Sequence, residues 1–313
     1  MATPDKPLDQ MTTQERLDLG VECLDAGRLN DAVHILATVS ASENPGAYSW
    51  AQYFLGDVYE DAGNLREAMT AYNNVHRHDN PVAYASAQNS AGILYKNMGR
   101  LDDAVAAFRN VQLNDSPEAY TNAQFNLGNT YKLMGKTDDA LQSWGGVLRE
   151  VDAETYAQAQ FNIGSTCKNQ GRIDEAIAAW GRVRREDNPS VYARAQLSLG
   201  LTYAPLGQLD EAIAVWRNVC REDNPEAYAA AQNNLGSAYE DKELFDDSFA
   251  ARNRVLRSDS PYIYAVAQLN MGIAYYDNGS LDEAVTAWNR VLEEDDPQSY
   301  AEAQRNFALV NKH

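Results

Sequence analysis

A strict period of 36 residues runs through this chain and limits its fold more than any other feature. Prolines recur at this interval, and a tyrosine follows each of these positions by three residues, from Tyr48 to Tyr300. A glycine series keeps the same interval from Gly20 to Gly272. The prolines stand at positions 45, 81, 117, 189, 225, 261 and 297, with alanine at 153. A constant period of this length predicts a stack of similar repeats that contact their neighbours.

The period divides the chain into eight repeats over residues 9–296, followed by half a repeat at 297–313. Residues 1–8 precede the first repeat and are predicted to be a disordered tail. The half repeat is predicted to be a terminal helix that covers the last apolar face of the stack.

The first part of each repeat has the pattern of a helix, here called helix A. Asn, Ser or Asp precedes each proline, and its side-chain oxygen can accept hydrogen bonds from the free amides of a first helical turn. In repeat 4, Tyr120, Leu127 and Tyr131 fall on one face at helical spacing, and Gly135 is placed to end the helix in a left-handed conformation. Helix A is therefore predicted to span about 17 residues, or roughly 25 Å.

A second helix, helix B, follows in each repeat. Ala140, Trp144 and Val147 form its apolar face in repeat 4, and Asp138 and Asp139 suit its positive N-terminal end. The sequence contains no alternating β pattern. It therefore predicts an all-α fold, an α–α superhelical solenoid of eight helix-turn-helix repeats plus a C-terminal capping helix, with seventeen helices in all.

The repeat, written Leu127-Gly128-x-x-Tyr131 and Ala140-x-x-x-Trp144 before a proline, resembles the tetratricopeptide repeat. The resemblance covers residues 9–313. It implies that small residues let helices A and B approach each other, while Leu127, Tyr131 and Trp144 fill the space between them. It also implies a non-enzymatic protein that binds other proteins or peptides.

The sequence departs from the family pattern in several places. The period is 36 residues instead of the family's 34, so the superhelical pitch is expected to differ. Gln124 stands where the family has its leading Trp. Repeat 7 carries Glu243 for the cap glycine, Ser248 for Ala and Arg252 for the aromatic residue, and Gly145–Gly146 interrupts helix B of repeat 4. Both places are predicted soft points.

Composition excludes several classes of function. The 26 Lys and Arg against 45 Asp and Glu give a net charge of −19, which would repel a phosphate backbone, so no nucleic-acid partner is expected. No apolar stretch approaches the ~18 residues of a membrane helix, and the first ten residues do not resemble a secretory signal. Cys23, Cys167 and Cys220 are too scattered for a disulfide framework, which favours a reducing, cytoplasmic location.

Enzymatic signatures are absent from the sequence. It has no nucleotide-binding glycine motif and no His-Glu-x-x-His, so neither an enzyme nor a cofactor is predicted. His76 and His78 lie two positions apart at the predicted end of a helix, where they would not face one ligand. No metal site is therefore predicted.

A polar series two residues before each helix-A glycine is the main candidate site. Asn inside a helix competes with the backbone for hydrogen bonds, so a repeated Asn needs compensation. The family resemblance implies that helix A lines a concave surface and that the Asn side chains form a ladder gripping an extended segment. The alternative is that the amides bridge neighbouring A helices. The ladder consists of Ser90, Asn126, Asn162, Ser198, Asn234, Asn270 and Asn306.

Phe125 and Phe161 stand one residue before the ladder and are predicted to form apolar pockets beside it. The alternative for these rings is packing between successive A helices.

Charge is distributed unevenly. Lys96, Lys132 and Lys168 share one position late in helix A, where repeats 2 and 7 have Glu60 and Glu240. Residues 81–188 hold 11 basic and 13 acidic residues, a net of −2, which leaves −17 for the rest of the chain. A groove with a basic middle and acidic ends would favour a partner of complementary charge order. The alternative is that basic residues of the turns, such as Arg100 and Arg172, pair locally with acids that begin helix B.

The sequence thus predicts a scaffold that binds an extended protein segment through the ladder, Phe125, Phe161 and the three lysines. Two alternatives remain open at this point. One is an acidic inhibitor or immunity-type protein that neutralises a cationic effector. The other is an architectural protein that assembles by end-to-end stacking.

Overall fold

The computed structural model describes residues 6–310, and within them it contains seventeen α-helices, two short 3-10 helices and no strand. The all-α prediction and its helix count are therefore confirmed. The α-helices are α1 (Thr13–Asp25), α2 (Leu29–Leu36), α3 (Pro45–Asp61), α4 (Leu65–Asn73), α5 (Pro81–Asn97), α6 (Leu101–Arg109), α7 (Pro117–Leu133), α8 (Thr137–Gly145), α9 (Ala153–Asn169), α10 (Ile173–Gly181), α11 (Pro189–Tyr203), α12 (Leu209–Arg217), α13 (Pro225–Glu240), α14 (Phe245–Arg252), α15 (Pro261–Asp277), α16 (Leu281–Trp288) and α17 (Pro297–Val310).

The chain forms two compact units, residues 1–159 and 160–313, with the boundary inside α9. In both units, odd-numbered A helices alternate with even-numbered B helices. In the first unit an A helix packs against the B helix of its own repeat, as α3 does with α4, and against the next A helix, as α3 does with α5. In the second unit α13 makes the same two kinds of contact, with α14 and α15.

The predicted caps begin the A helices. The Asn80 side chain accepts a hydrogen bond from the amide of Ala83 at 3.0 Å, and proline occupies the first turn. Ser116 caps α7 through the amide of Ala119 at 3.1 Å. Because the cap and proline recur every 36 residues, the starts of the A helices follow the sequence period.

The ends of the A helices also follow the prediction. Cap glycines from Gly27 to Gly279 adopt φ values between 69° and 81°, and Glu243 adopts φ 60° in repeat 7. Helix α11 is shorter because Pro205 has no N–H to donate to the carbonyl of Leu201. The Lys168 ammonium donates to that carbonyl instead, at 3.4 Å.

A large side chain from each B helix packs onto the helix-A glycine that precedes it by 16 residues. We call this position the slot. A Cβ atom added to Gly128 would lie 2.5 Å from the Trp144 ring, so only glycine allows this approach. Trp144 is fully buried, and Leu127 and Tyr131 are buried beside it, as predicted. The slot residues are Leu36, Tyr72, Phe108, Trp144, Trp180, Trp216, Arg252 and Trp288.

Repeat 7 fills its slot with a charged side chain. Arg252 is only 1% exposed and forms an ion pair with Glu240 of helix α13. It also donates to the hydroxyls of Ser248 at 3.0 Å and Ser237 at 3.1 Å. Two of the three departures of repeat 7, Ser248 and Arg252, therefore belong to one hydrogen-bonded network with Glu240.

Gly145 and Gly146 do not interrupt a helix. Helix α8 is nine residues long and ends at Gly145, while Gly146 is its C-cap. The equivalent helices α6 and α10 have the same length and end at the same repeat position, Arg109 and Gly181. The prediction that the glycine pair weakens repeat 4 by interrupting helix B was wrong, because the pair lies where the B helices of this length end.

Successive repeats are joined by Arg–Asp pairs that the sequence analysis missed. An Arg after helix B pairs with an Asp 38 residues later, in the turn after the next helix B, and the Asp side chains are at most 9% exposed. The pairs are Arg77–Asp115 (3.1 Å), Arg185–Asp223 (2.7 Å), Arg221–Asp259 (3.1 Å) and Arg257–Asp295 (2.7 Å). Hydrogen bonds to Asp295 and Glu294 raise the pKa of the Arg257 guanidinium. Between repeats 3 and 4 the same two positions hold Leu113 and Val151.

The ends of the chain are partly described. Residues 1–5 of the predicted tail and residues 311–313 of the predicted capping helix lie outside the described residues. Of the rest of the tail, Lys6 donates to Glu15 at 2.9 Å and Leu8 packs against the core of repeat 1.

Candidate functional site

The A helices expose one side in each unit. In α7, Asn122 is exposed and Phe125 and Asn129 are half-buried at spacings of three and four, while Ala123 and Leu127 on the other side are buried. We call the surface formed by these exposed positions and their equivalents the A-helix face, taken separately in each unit. Because the period is 36 residues, equivalent side chains of neighbouring A helices meet on this face.

The ladder residues lie at the edge of the A-helix face. All seven are half-buried, from Ser90 in α5 to Asn306 in α17. None is sealed inside a helix pair, and none is fully exposed. This placement leaves polar atoms at the surface while the start of each side chain is held by packing.

Two ladder amides bridge neighbouring A helices. Asn126 donates through Nδ2 to Oδ1 of Asn89 at 3.4 Å, and Asn270 donates in the same way to Asn233 at 3.3 Å. Each acceptor belongs to the preceding A helix and lies 37 residues earlier. The bridging alternative is therefore seen at these two positions. A bridge uses one amide hydrogen and leaves the second hydrogen for another partner.

A bridge requires a polar acceptor 37 residues earlier, on the preceding A helix. For Asn234 the residue at that position is Leu197, and in the part of the chain that the structure describes the Asn234 side chain makes no hydrogen bond. Asn234 thus presents a half-buried amide at the surface. Asn126 and Asn270 serve as bridges, whereas Asn234 has the geometry of an open hydrogen-bonding group.

The two predicted aromatic positions are half-buried. The Arg194 guanidinium lies 4.2 Å from the centre of the Phe161 ring, so the ring is partly covered by a cation from the next A helix. The backbone carbonyl of Phe161 accepts a hydrogen bond from the Trp180 indole at 3.3 Å. This contact places Phe161 directly above the slot of its own repeat.

In four repeats the charged residue late in helix A interacts with the side chain in the slot of the same repeat. Lys132 lies 5.8 Å from the centre of the Trp144 ring, and Lys168 lies 5.9 Å from that of Trp180. A cation above an indole is stabilising. The slots of repeats 2 and 7 hold Tyr and Arg, which donate hydrogen bonds, and there the late position is acidic. The charge pattern has a structural cause in these four repeats, whereas among the described residues no such contact joins Lys96 to Phe108.

The basic turn residues pair locally. Arg100 bonds to Asp103 at 2.7 Å, and Arg172 pairs with Glu175. The local alternative is confirmed for these two arginines, although the acids involved are one position later than Asp102 and Asp174. Exposed pairs of this kind contribute little to stability.

Repeat 2 carries an aromatic and acidic cluster on the A-helix face. The Tyr72 hydroxyl lies 2.7 Å from Asp57 and 3.0 Å from Glu60, and a hydroxyl can donate to only one of them at a time. Burial, together with the charges of Glu60 and Asp61, raises the pKa of Asp57. Burial and the nearby Asp57 raise the pKa of Tyr53 to about 12.

His76 and His78 were assigned to a helix end, and this was wrong. Helix α4 ends at Asn73, so both histidines lie in the following turn. Their rings are stacked nearly in parallel, with the ring centres 5.6 Å apart. Among residues 6–310, no group of three or more potential metal ligands is close enough to hold an ion. In the same part of the chain, no helix combines the length and apolar character needed to cross a bilayer.

A family model described as tetratricopeptide repeat matches most of the chain. The matched regions are residues 17–83, 125–190, 168–227, 197–263, 250–300 and 269–311. The chain belongs to the tetratricopeptide repeat family. Members of this family are repeat scaffolds that typically bind proteins, and this chain is such a scaffold.

Two solved structures with TM-scores above 0.5 agree with this assignment at the level of the fold. The C-terminal part of a TPR repeat-containing protein from Cytophaga hutchinsonii is 16% identical, with a TM-score of 0.57, and the match covers 80% of this chain and 98% of that one. The apo form of RapI is 13% identical, with a TM-score of 0.56, over 88% and 85% of the two chains. MamA is 29% identical over 51% of this chain and 89% of its own, with a TM-score of 0.40. The comparison with curated proteins finds no match.

Proposed function

We propose that this tetratricopeptide repeat chain is a non-enzymatic scaffold that binds an extended protein or peptide segment on its A-helix face. The side chains of the ladder form hydrogen bonds with the backbone of the bound segment. Phe125, Phe161 and the three lysines determine which segments bind more tightly. The partner is expected to be a protein rather than a nucleic acid, because the chain carries a net charge of −19.

The observation that carries the proposal is the spacing of the ladder amides. Asn126 reaches the preceding A helix at 3.4 Å and Asn270 does so at 3.3 Å, so polar groups continue from one repeat to the next on this face. An amide that already bridges two helices is held in place before a partner arrives, which lowers the entropy lost on binding. An Asn without a bridge, such as Asn234, offers both donors and its acceptor to a segment.

The test compares one open amide with one bridging amide. Protein segments are first captured from a cell extract by the purified chain, identified, and synthesised as peptides. The affinity of the best peptide is then measured for the wild type, Asn234→Ala and Asn270→Ala. Both substitutions are expected to weaken binding by roughly tenfold, the loss of about one hydrogen bond to a buried peptide group.

Thermal unfolding of the same variants separates a ligand contact from a structural bridge. Asn270→Ala is expected to lower the melting temperature because it removes the bond to Asn233, whereas Asn234→Ala should leave the melting temperature unchanged. Unchanged peptide affinity in Asn234→Ala would show that the ladder holds helices together and does not grip a segment.

Neutralisation of a cationic effector is the second candidate, and one observation supports it. Asp61, Asp241 and Asp277 are exposed at the C-terminal ends of A helices, where Asp241 is the C-cap of α13. The preceding Glu60 and Glu240 accept hydrogen bonds from slot residues. In this case the captured partner would be basic, its binding would weaken steeply with added salt, and Asp241→Lys would affect it more than Asn234→Ala.

A further inference from the structure

A cavity of about 630 Å³ lies in the second unit and includes no ladder residue in its lining. It is lined by residues of α13 and α14, by the last residue of α12 and by the turns after α12 and α14. Its volume is in the range of small-ligand sites. The equivalent cavity of the next repeat, lined by Met271, Tyr275 and Arg290, has only about 340 Å³. The larger cavity therefore reflects particular residues of repeats 6 and 7 rather than the fold alone.

One wall of the cavity contains an unpaired buried oxygen. In repeats 3 and 6, Gln88 and Gln196 accept hydrogen bonds from the Asn 22 residues later, Asn110 at 3.0 Å and Asn218 at 3.2 Å. Repeat 7 has Arg254 in place of that Asn. The residue that corresponds to Gln88 is Gln232, which is 5% exposed, and its Oε1 atom has no hydrogen-bond partner. This oxygen requires an N–H or O–H donor.

Three arginines line the same cavity, in a chain whose net charge is −19. Arg217 is fixed by the hydroxyl of Tyr239 at 3.0 Å, and Arg221 is fixed by Asp259 at 3.1 Å and by the backbone carbonyl of Arg254. Each of these guanidinium groups retains further N–H donors. The Arg254 guanidinium pairs with no carboxylate among the described residues.

Two carboxylates also belong to the lining. Glu222 lies 3.6 Å from Arg185, which is outside the cavity, so part of its charge is already neutralised. Asp247 is exposed at the start of α14. Asp259 already neutralises Arg221, so Arg217 and Arg254, which form no ion pair among the described residues, are the guanidinium groups left for a ligand. Arg binds carboxylates in a two-point geometry.

We propose that this cavity binds an organic carboxylate that also carries an amide N–H, the chemistry of a peptide C-terminus. The arginines receive the carboxylate, and the amide N–H donates to Oε1 of Gln232. Tyr228 and Leu235 supply a half-buried ring and an apolar wall for the remaining atoms. The site does not involve the ladder, so a failure of either proposal leaves the other unaffected.

Cys220 provides a local probe, because it lines the cavity and is half-exposed, whereas Cys23 and Cys167 are each 1% exposed. The rate of maleimide labelling of Cys220 is measured on the full chain with N-acetylglycine, which has both groups. Acetate lacks the amide, and N-acetylglycinamide lacks the carboxylate. N-acetylglycine is expected to slow labelling by about tenfold at saturation, and the other two compounds far less. Equal protection by acetate, or no protection by N-acetylglycine, would overturn the proposal.

The variant Arg254→Asn distinguishes a loss of ligand binding from a loss of protein stability. It restores the Asn found at this position in repeats 3 and 6, so the melting temperature is expected to rise by roughly 2 °C, while the affinity for N-acetylglycine falls at least tenfold. Arg290→Asn is the matched control, because Gln268 is unpaired in the same way but lies outside this cavity. It should raise the melting temperature without changing the protection of Cys220.

A gain of affinity gives a second test that does not depend on Arg254. Asp247→Asn removes a carboxylate from the lining and is expected to strengthen N-acetylglycine binding about threefold. Unchanged protection in both Arg254→Asn and Asp247→Asn would show that the ligand does not occupy this cavity.

Discussion

Repeats 6 and 7 are neighbours in the second unit, and they fill the same slot by opposite means. In repeat 6 an indole lies on Gly200, and its single N–H donates to the carbonyl of Leu197 at 3.3 Å. In repeat 7 the guanidinium of Arg252 lies on Gly236 and depends on Glu240. The backbone accepts either residue, so the slot requires a long side chain whose polar atoms find partners rather than an aromatic ring as such.

The indole and the guanidinium differ in how strongly they depend on their hydrogen-bond partners. An indole has one polar hydrogen, so the loss of its partner affects one bond. A buried guanidinium has five N–H donors, and even in the native network the Nε of Arg252 has no partner. Repeat 7 is therefore expected to depend strongly on Glu240, whereas repeat 6 depends on close packing.

The largest effect is expected from breaking the buried ion pair. Glu240→Ala leaves the charge of Arg252 buried without its partner and should lower the free energy of unfolding by about 3 to 5 kcal/mol. Urea unfolding, with amide hydrogen exchange to locate the loss in α13 and α14, measures this effect. Asp241→Ala is the control, since Asp241 is the exposed neighbour and should change stability by less than about 0.5 kcal/mol. A similar loss of stability in both variants would mean that the effect does not come from breaking the ion pair.

Transplanting the residues of repeat 6 into repeat 7 should remove this dependence. Repeat 6 has Ala204, Ala212 and Trp216 where repeat 7 has Glu240, Ser248 and Arg252. The triple variant Glu240→Ala, Ser248→Ala, Arg252→Trp is expected to be as stable as the wild type or more stable by about 1 to 4 kcal/mol, because an apolar group replaces a buried ion pair. Urea unfolding compares it with the single variant Arg252→Trp. A triple variant less stable than the single one would contradict the equivalence of the two slots.

Substituting the slot glycines should separate a rigid neighbour from a flexible one. A Cβ at Gly200 would collide with the Trp216 ring, whereas at Gly236 it would meet the Cγ of Arg252 at 2.7 Å. Gly200→Ala is expected to destabilise the protein by about 1 to 3 kcal/mol, and Gly236→Ala by less, since the Arg side chain can shift. Thermal unfolding of the two variants provides the comparison. The opposite order would indicate that the Arg network is the stiffer packing.

The smallest effect concerns the helix ends of the same two repeats. Gly207 adopts φ 76° in repeat 6, and Glu243 adopts φ 60° in repeat 7. Glu243→Gly should stabilise the protein by about 1 kcal/mol because glycine adopts this conformation without strain. Gly207→Ala should have the opposite effect of similar size. A lower melting temperature in Glu243→Gly would mean that the Glu243 side chain contributes more than its backbone strain removes.

Much of the fold could be read from the sequence because its signals are local and repeated. The capping side chain, the proline and the terminal glycine found in most A helices act within a few residues, and their repetition removes the ambiguity of a single one. The close approach of helices A and B with Trp144 between them was implied by the family resemblance, and the structure confirms it. The error at His76 and His78 arose at a helix end, where the pattern does not define the last residue.

The contacts that were missed join different helices or different repeats. Glu240 and Arg252 replace two residues at once in one repeat, so the period alone gives no pairing. The Arg–Asp pairs at an offset of 38 had a visible signal, because the positions between repeats 3 and 4 change together to Leu113 and Val151. For the ladder, the sequence located the amides on the surface side of helix A, but it did not show that Asn126 and Asn270 bridge helices, since this depends on the residue 37 positions earlier.

The central claim is that the A-helix face receives a protein segment, and hydroxyl-radical footprinting of the chain with its captured segment tests it most directly. Phe125 and Leu201 lie on the A-helix face of the first and second unit, Leu201 at the position equivalent to Asn129, while Leu65 and Leu281 are exposed at the starts of B helices. The account predicts that the segment protects Phe125, Leu201 or both from oxidation and leaves Leu65 and Leu281 unchanged. Protection confined to Leu65 and Leu281 would contradict it.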